Sequence, residues 1–190
     1  MKHIKLASAV AIAMGIAFAG VASAASSNGG TITFTGSVDD TTCTVTGGGG
    51  TDGGQGKFTV ALDAALPEDL KAAGDTAKPK PFSVQIGGPG QGSCTNGKIA
   101  SMSFLTSSPR IDAATGALVN ALSGEATNVQ VQLTDSMGVI DLADPSYKQD
   151  SPDIANNTAL IKFGAQYLAV GGAATPGQVS TSVVYAVTYN

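Results

Sequence analysis

The chain has 190 residues, of which 43% are hydrophobic and only 13% are charged, and it contains 25 glycines and no tryptophan. This composition is typical of one apolar, turn-rich globular domain and argues against disorder. The formal net charge of −4 provides no basic surface for a phosphate backbone, so nucleic acid is excluded as a partner. The one histidine, His3, lies in a segment that we expect to be cleaved, which removes the usual general base. We therefore predict no enzyme, no catalytic residue, no cofactor and no metal site.

Residues 1–24 have the three parts of a secretory signal peptide. Lys2 and Lys5 supply the positive charge, an apolar stretch covers residues 6–21, and three small residues end at Ala24. A membrane anchor is the alternative, but the apolar stretch falls short of the roughly 20 residues that a spanning helix needs. We predict cleavage after Ala24, export of the remaining chain and no membrane span in it.

Export affects how the two cysteines, Cys43 and Cys94, are interpreted. Outside the cytosol a single pair is most simply one disulfide, and the C-x-x-C spacing of a redox pair is absent. A reactive or metal-binding cysteine is the alternative. We predict a structural disulfide that closes a loop of about 50 residues and stabilises the fold by roughly 4 kcal/mol in the chain-entropy model.

Short strands separated by Gly and Pro turns follow one another along the chain, without a sustained helical period. The alternation of apolar and polar residues is regular over 31–38, where the Thr and Ser residues share one face. Loops are predicted at 47–56, 87–90 and 144–152, and a short helical turn or loop at 66–73. The predicted strands cover 31–38, 43–46, 57–62, 82–86, a stretch before Cys94, 99–104, 128–133, 139–142, 160–170 and 177–189. This order predicts an all-β sandwich.

The first and last predicted strands both lie at chain ends. Residues 25–30 are polar and contain glycine, so the first strand is free to extend away from the domain, and no later segment is expected to pair with the last one. An apolar terminal strand at an open sheet edge invites another chain to pair there. An ordinary sandwich whose ends happen to be strands is the alternative.

The order and spacing of several segments resemble the chaperone–usher fimbrial subunits, and among them the major pilin of type 1-like fimbriae. The resemblance covers essentially the whole chain after residue 24. It rests on GGTITFTG at 29–36, Cys43 seven residues later, Cys94 after FSVQIG, the NVQVQLTD and LIKFGAQYLAV strands, Gly177 fourteenth from the end and Tyr189 penultimate.

The resemblance implies an incomplete immunoglobulin-like β-sandwich that lacks its last strand, over residues 39–190, preceded by an N-terminal extension, the donor strand, at 25–38. In such subunits a periplasmic chaperone lends a strand to the open groove, and at the outer-membrane usher the N-terminal strand of another subunit replaces it. The implied donor positions are Gly30, Ile32, Phe34, Gly36 and Val38. The implied groove and chaperone-contact positions are Gly177, Val179, Val183, Tyr185, Val187, Tyr189 and Asn190.

Other candidate binding or catalytic sites have weaker support in the sequence. Residues 92–98 nearly match the phosphate-binding pattern GxxxxGK, but Ile99 stands where Ser or Thr holds the metal, and a strand follows instead of a helix. The Gly-rich run at 47–56 occurs once, whereas calcium-binding Gly-Asp repeats are stacked in copies. The paired carboxylates at 39–40 and 68–69 have no partner base, and Tyr147, Tyr167 and Tyr185 fit a core better than a sugar site.

The sequence therefore predicts a structural subunit of a bacterial surface fimbria that is polymerised by donor-strand exchange and supports cell adhesion. Its partners are copies of itself or other pilins, the periplasmic chaperone and the outer-membrane usher. A minor or tip subunit with a carbohydrate-binding role is the alternative on the same scaffold. A secreted hydrolase is disfavoured because no nucleophile motif is present.

Overall fold

The structure, a computed structural model, describes residues 42–190 and contains nine β-strands and one short 3₁₀ helix in that range. The predicted signal peptide and donor strand lie outside the described residues. The strands are β1 (Val45–Gly47), β2 (Thr76–Gly87), β3 (Ala100–Phe104), β4 (Leu118–Val119), β5 (Val129–Asp135), β6 (Gly138–Val139), β7 (Gln149–Asp150), β8 (Thr158–Ala169) and β9 (Tyr185–Tyr189).

The larger sheet contains six of these strands in the order β1-β2-β8-β5-β4, with β6 pairing to β5. The long strands β2 and β8 form its centre and pair antiparallel from Thr76–Leu168 to Gly87–Thr158. A register shift interrupts the β2–β8 ladder between Ala77 and Lys80. The smaller sheet has the order β7-β3-β9, so β9 pairs only with β3 within the described chain.

The two sheets enclose one main hydrophobic core. Alternate residues of β2 and β8 point into it, as expected for strands with one buried face. Phe104 of the smaller sheet packs edge-on against Phe163 of the larger one, with ring centroids 5.8 Å apart. The largest of the almost fully buried side chains are Val84, Ile86, Cys94, Met102, Ile140, Leu142, Ile154 and Ile161.

The all-β prediction is confirmed, and four of the strands predicted within residues 42–190 are present. The segments 82–86, 99–104, 128–133 and 160–170 correspond to β2, β3, β5 and β8, and the 3₁₀ helix Pro67–Asp69 lies in the predicted helical turn. The loop at 144–152 contains the two-residue strand β7. Within residues 42–190 no helix has the length and apolar character needed to cross a membrane.

Four strand predictions need correction. Of the predicted strand 139–142, only Val139 is paired, as the end of β6. The prediction of a strand before Cys94 is wrong, because residues 91–98 form turns. In one of them the Cys94 N–H donates to the Gln91 carbonyl at 2.9 Å. Residues 57–62 form no paired strand within the described chain. Of the predicted strand 177–189, only residues 185–189 are paired, as β9. The unpaired parts of both segments border the same groove.

Candidate functional site

A long groove opens between residues 56–62 on one side and 179–185 on the other. Its volume is about 1010 Å³, and its floor is the hydrophobic core itself. The floor receives side chains from both sheets: Phe82, Met102, Phe104, Leu118, Val131 and Leu133. Within residues 42–190, no strand covers the core along this slot.

Residues 178–185 form one edge of the groove, which we call the C-terminal edge. Their side chains alternate, with odd-numbered residues half-buried and even-numbered residues exposed. The even-numbered residues Gln178, Ser180 and Val184 use their main chain to bind the body of the domain. Their N–H groups donate to Glu125, Asn120 and Ser108 at 2.7, 3.0 and 3.1 Å. The C-terminal edge is thus anchored on the side that faces away from the groove.

The odd-numbered residues of the C-terminal edge have the opposite main-chain orientation, because successive peptide groups of a strand point to opposite edges. No hydrogen bond within residues 42–190 engages the main-chain N–H or C=O groups of Val179, Thr181 or Val183. Their half-buried side chains line the groove. Among the described residues, this edge therefore has a row of main-chain donors and acceptors without partners beside an apolar floor.

Residues 56–62 form the opposite edge, the N-terminal edge. Phe58, Val60 and Leu62 are half-buried and pack against the core, while the residues between them are exposed. Thr59 fixes this edge to the preceding loop: its N–H donates to Asp52 Oδ1 at 3.0 Å, and its carbonyl accepts from the Asp52 N–H at 3.1 Å. Hydrogen bonds from the Thr59 and Gly54 main chain hold the Asp52 pKa below its usual value.

The two ends of the groove differ. At one end Tyr185 bridges the edges, because its hydroxyl donates to the Gly56 carbonyl at 2.7 Å and its ring lies 5.8 Å from that of Phe58. Burial is the main cause of the raised Tyr185 pKa, with the neighbouring Tyr189 a second cause. At the other end, Leu62 and Val179 also line a second cavity of about 430 Å³. Tyr185 therefore bridges the groove at one end, and a further cavity adjoins it at Val179.

The seven predicted groove and chaperone-contact residues fall into two groups. Val179, Val183 and Tyr185 line the groove, and Gly177 lines the second cavity. Val187, Tyr189 and Asn190 lie beyond the groove, in or after β9. Val187 pairs with Met102, and Tyr189 pairs with Ala100. Asn190 exchanges main-chain hydrogen bonds with Ile99. Their predicted contact with a chaperone remains a prediction.

Sequence reasoning missed the residues of the N-terminal edge and Thr181. Phe58, Val60 and Leu62 alternate with polar or small residues, so the pattern identified an extended segment, but nothing in it indicated that the segment borders a groove. Thr181 is polar and stands in an otherwise apolar row, which is the signal that was available. The predicted donor residues Gly30, Ile32, Phe34, Gly36 and Val38 all lie outside the described residues.

The predicted disulfide joins Cys43 to Cys94. Cys94 is completely buried, and its partner precedes β1, so the bond fixes the start of the described domain to the turn after β2. The Tyr189 hydroxyl donates to the Cys43 carbonyl at 3.3 Å. The disulfide therefore lies beside the end of β9, away from the groove floor.

The arrangement fits the binding of an extended chain segment. A strand in the groove would gain main-chain hydrogen bonds from the free edge and insert alternate side chains into the apolar floor. The alternative phosphate site does not fit: residues 92–98 form turns that lead into β3, and no helix begins there within the described chain. The groove is accordingly the best candidate for the functional site.

Comparison with known proteins agrees with this geometry. The family model described as "Fimbrial protein" matches residues 32–190. The chain is 34% identical to the major fimbrial subunit SMF-1 of Stenotrophomonas maltophilia, over 88% of this chain and 96% of that one. It is 32% identical to the F17 fimbrial protein of Escherichia coli, over 93% and 96%.

A solved structure shares the fold. The P pilus rod subunit PapA superposes with a TM-score of 0.52 at 14% identity, over 71% of this chain and 94% of that one. Together with the all-β sandwich, this likeness supports the incomplete immunoglobulin-like fold. The chain belongs to the fimbrial protein family, whose members are structural subunits and not enzymes.

Proposed function

We propose that this fimbrial subunit polymerises head to tail by donor-strand exchange, with the N-terminal strand of one copy occupying the groove of the next. The groove between the two edges is the observation that carries the proposal, because it combines free main-chain groups with an apolar floor. Each copy has one donor and one acceptor at different places, so the contact is heterologous and does not close. Such contacts generate filaments.

The sequence of residues 29–38 supports the assignment of the donor. Its ten residues span about 33 Å as a strand, longer than the seven residues 179–185 of the opposing edge. Ile32, Phe34 and Val38 fall on one face and supply apolar side chains for the floor, and the Thr and Ser residues of the other face suit a solvent-exposed side. Burial of each apolar side chain contributes about 1.5–3 kcal/mol.

The open groove also supports the proposal that the subunit is protected from pairing with other chains before it is assembled. An apolar slot with a free edge pairs readily with other chains, which proteins normally avoid. We infer that a periplasmic chaperone fills the groove after export and cleavage at Ala24, and that an outer-membrane usher mediates the exchange. The finished fimbria lies on the cell surface, where it supports adhesion.

Electron microscopy of cells that express the chain with its secretion partners tests this function. The complete chain should give filaments labelled along the shaft, whereas labelling only at the tip would favour the minor or tip subunit. Deletion of residues 25–38 should abolish filaments made of this subunit alone while leaving the disulfide-bonded domain 39–190 in the periplasm. Long filaments from the deletion variant would refute the donor assignment.

A further inference from the structure

Residues 57–62 make up most of the N-terminal edge, yet they belong to no paired strand within the described chain. Thr59 is the one residue of this segment whose main chain has hydrogen-bond partners among the described residues, and both of its bonds join Asp52. The alternate apolar side chains of the segment pack against the core. A segment with so few main-chain bonds depends on side-chain contacts for its position.

Side chains tie both ends of the N-terminal edge to other parts of the domain. At one end, the Lys80 Nζ atom of β2 donates to the two carboxylate oxygens of Asp63 at 3.0 and 3.2 Å. At the other end the tie crosses the groove, because the Tyr185 hydroxyl donates to the Gly56 carbonyl at 2.7 Å. The Tyr185 ring also lies 5.8 Å from that of Phe58. Tyr185 thus links the two edges directly.

The C-terminal edge is the fixed side of this link. Tyr185 is the first residue of β9 and lies opposite Phe104 of β3. The preceding residue, Val184, donates its N–H to Ser108 Oγ at 3.1 Å and accepts from the Leu105 N–H at 2.9 Å. Because the main chain beside Tyr185 is bound to the body of the domain, its hydroxyl positions the N-terminal edge relative to the C-terminal edge.

A second tyrosine of β9 makes a similar contact with a different consequence. The Tyr189 hydroxyl donates to the Cys43 carbonyl at 3.3 Å. Cys43 is already cross-linked to Cys94, so this hydroxyl adds little to the position of the chain there. Within the described chain Gly56 is held by hydrogen bonds without a cross-link, and one of them comes from Tyr185.

The length of the Tyr185 link fits the width of a strand. At full reach, a tyrosine side chain and its hydrogen bond span roughly 9 Å, close to two spacings of about 4.8 Å between paired strands. Two edges at that separation leave room for one strand that pairs between them.

The inference rests on the proposed function and concerns the subunit before a strand has entered. We propose that Tyr185 is a positioning residue, which holds the N-terminal edge one strand's width from the C-terminal edge in the empty groove. Without the hydroxyl, the edges adopt this separation for only part of the time, and a strand can enter only in that fraction. A bound strand holds the separation through its own contacts, so the hydroxyl accelerates entry and has little effect on release.

The rates of peptide binding test the proposal. A fluorescent peptide of residues 29–38 is mixed in a stopped-flow instrument with the purified, disulfide-bonded full chain, kept monomeric at low concentration. The rise in anisotropy gives the association rate constant, and displacement by unlabelled peptide gives the dissociation rate constant. The acceptors are the wild type, Tyr185→Phe, which lacks only the hydroxyl, and the matched control Tyr189→Phe, which loses the hydroxyl bonded to Cys43.

Tyr185→Phe should lower the association rate constant about 3- to 10-fold, as expected for one lost hydrogen bond, and change the dissociation rate constant by less than about 2-fold. Tyr189→Phe should leave both rate constants within about 2-fold of the wild type, because the disulfide still holds Cys43. Circular dichroism checks that each variant folds. If Tyr185→Phe does not fold, Tyr185→Leu, which also lacks the hydroxyl, replaces it in the same comparison.

The possible failures can be told apart. A Tyr185→Phe chain that associates as fast as the wild type, or faster, would overturn the positioning role while leaving strand acceptance intact. Faster release without slower entry would also overturn it, since the hydroxyl would then act on the bound strand. Absence of peptide binding to the wild-type chain, whose groove is unaltered, would overturn the proposed function and this inference with it.

Discussion

At the scale of single residues, the disulfide between Cys43 and Cys94 joins the residues before β1 to the turn after β2. Export and the count of two cysteines were enough to predict the bond between Cys43 and Cys94, and the structure confirms it. The packing of Gly177 was not predictable in the same way, because it depends on a neighbour distant in sequence. Gly177 lies against Ala126.

Replacing both cysteines with alanine should lower the free energy of unfolding by about 4 kcal/mol, because the bond closes a loop with a sequence separation of 51. Urea unfolding of the oxidised chain and of the double variant, followed by far-UV circular dichroism, measures the difference. Equal midpoints for the two proteins would contradict a stabilising role for the bond.

Gly177→Ala should destabilise the domain by roughly 2–4 kcal/mol. Gly177 has φ of +150°, and an added Cβ would lie 2.2 Å from the Ala126 main-chain nitrogen. Gly53→Ala is the matched control, since Gly53 also has positive φ (+75°) but no atom within 4 Å of an added Cβ. Thermal unfolding should show the smaller loss, roughly 1–2 kcal/mol, for the control; similar losses would mean that the contact with Ala126 is unimportant.

At the scale of strands, the alternation of apolar and polar residues predicted the strands that are paired on both sides or packed against the core, such as β2 and β8. It failed for residues 57–62 and 177–184, whose alternation is as regular as that of a strand. A strand requires a neighbour as well as a pattern, and the neighbour of these segments is missing from the described domain. Both faces of β5 are buried, whereas the alternation predicted one buried and one exposed face. The second face can be buried because Gln130 and Gln132 form hydrogen bonds with Thr115 and Gln166.

The N-terminal edge should loosen in acid. The folded-state pKa of Asp52 lies below 3.8, so the stability it contributes is complete above that value and is lost as pH falls through the lower folded pKa. Amide hydrogen exchange at Thr59, corrected for the intrinsic pH dependence, should become faster as the pH falls below 3.8. In Asp52→Ala the same amide should exchange quickly at neutral pH as well. Unchanged protection of Thr59 in this variant would refute the anchoring role of Asp52.

At the scale of the whole molecule, the resemblance to fimbrial subunits predicted the missing strand, and the structure places a groove where the C-terminal edge is unpaired. Composition alone did not locate it, because the apolar residues of the floor belong to strands spread over the whole domain. The opposite edge, residues 56–62, became apparent only from the fold. The groove is thus a property of how the segments pack together.

Head-to-tail assembly predicts the outcome of mixing two variants. One lacks residues 25–38 and keeps its groove; the other carries Val183→Arg, which places a charge in the groove and keeps the donor. Neither variant alone should form filaments, and the mixture should stop at a one-to-one complex, because only one donor and one groove remain. Mass photometry measures the species, with the wild-type chain as the filament-forming control. Filaments from the mixture would contradict this mode of assembly.

A helical reconstruction of the filament by electron cryomicroscopy, at a resolution that separates strands, shows directly whether a strand of one copy fills the groove of the next. We expect an extended strand from a neighbouring copy in the groove, hydrogen-bonded to the main chain of Val179, Thr181 and Val183. An empty groove in the filament, or a groove filled by the N-terminal residues of the same copy, would contradict it.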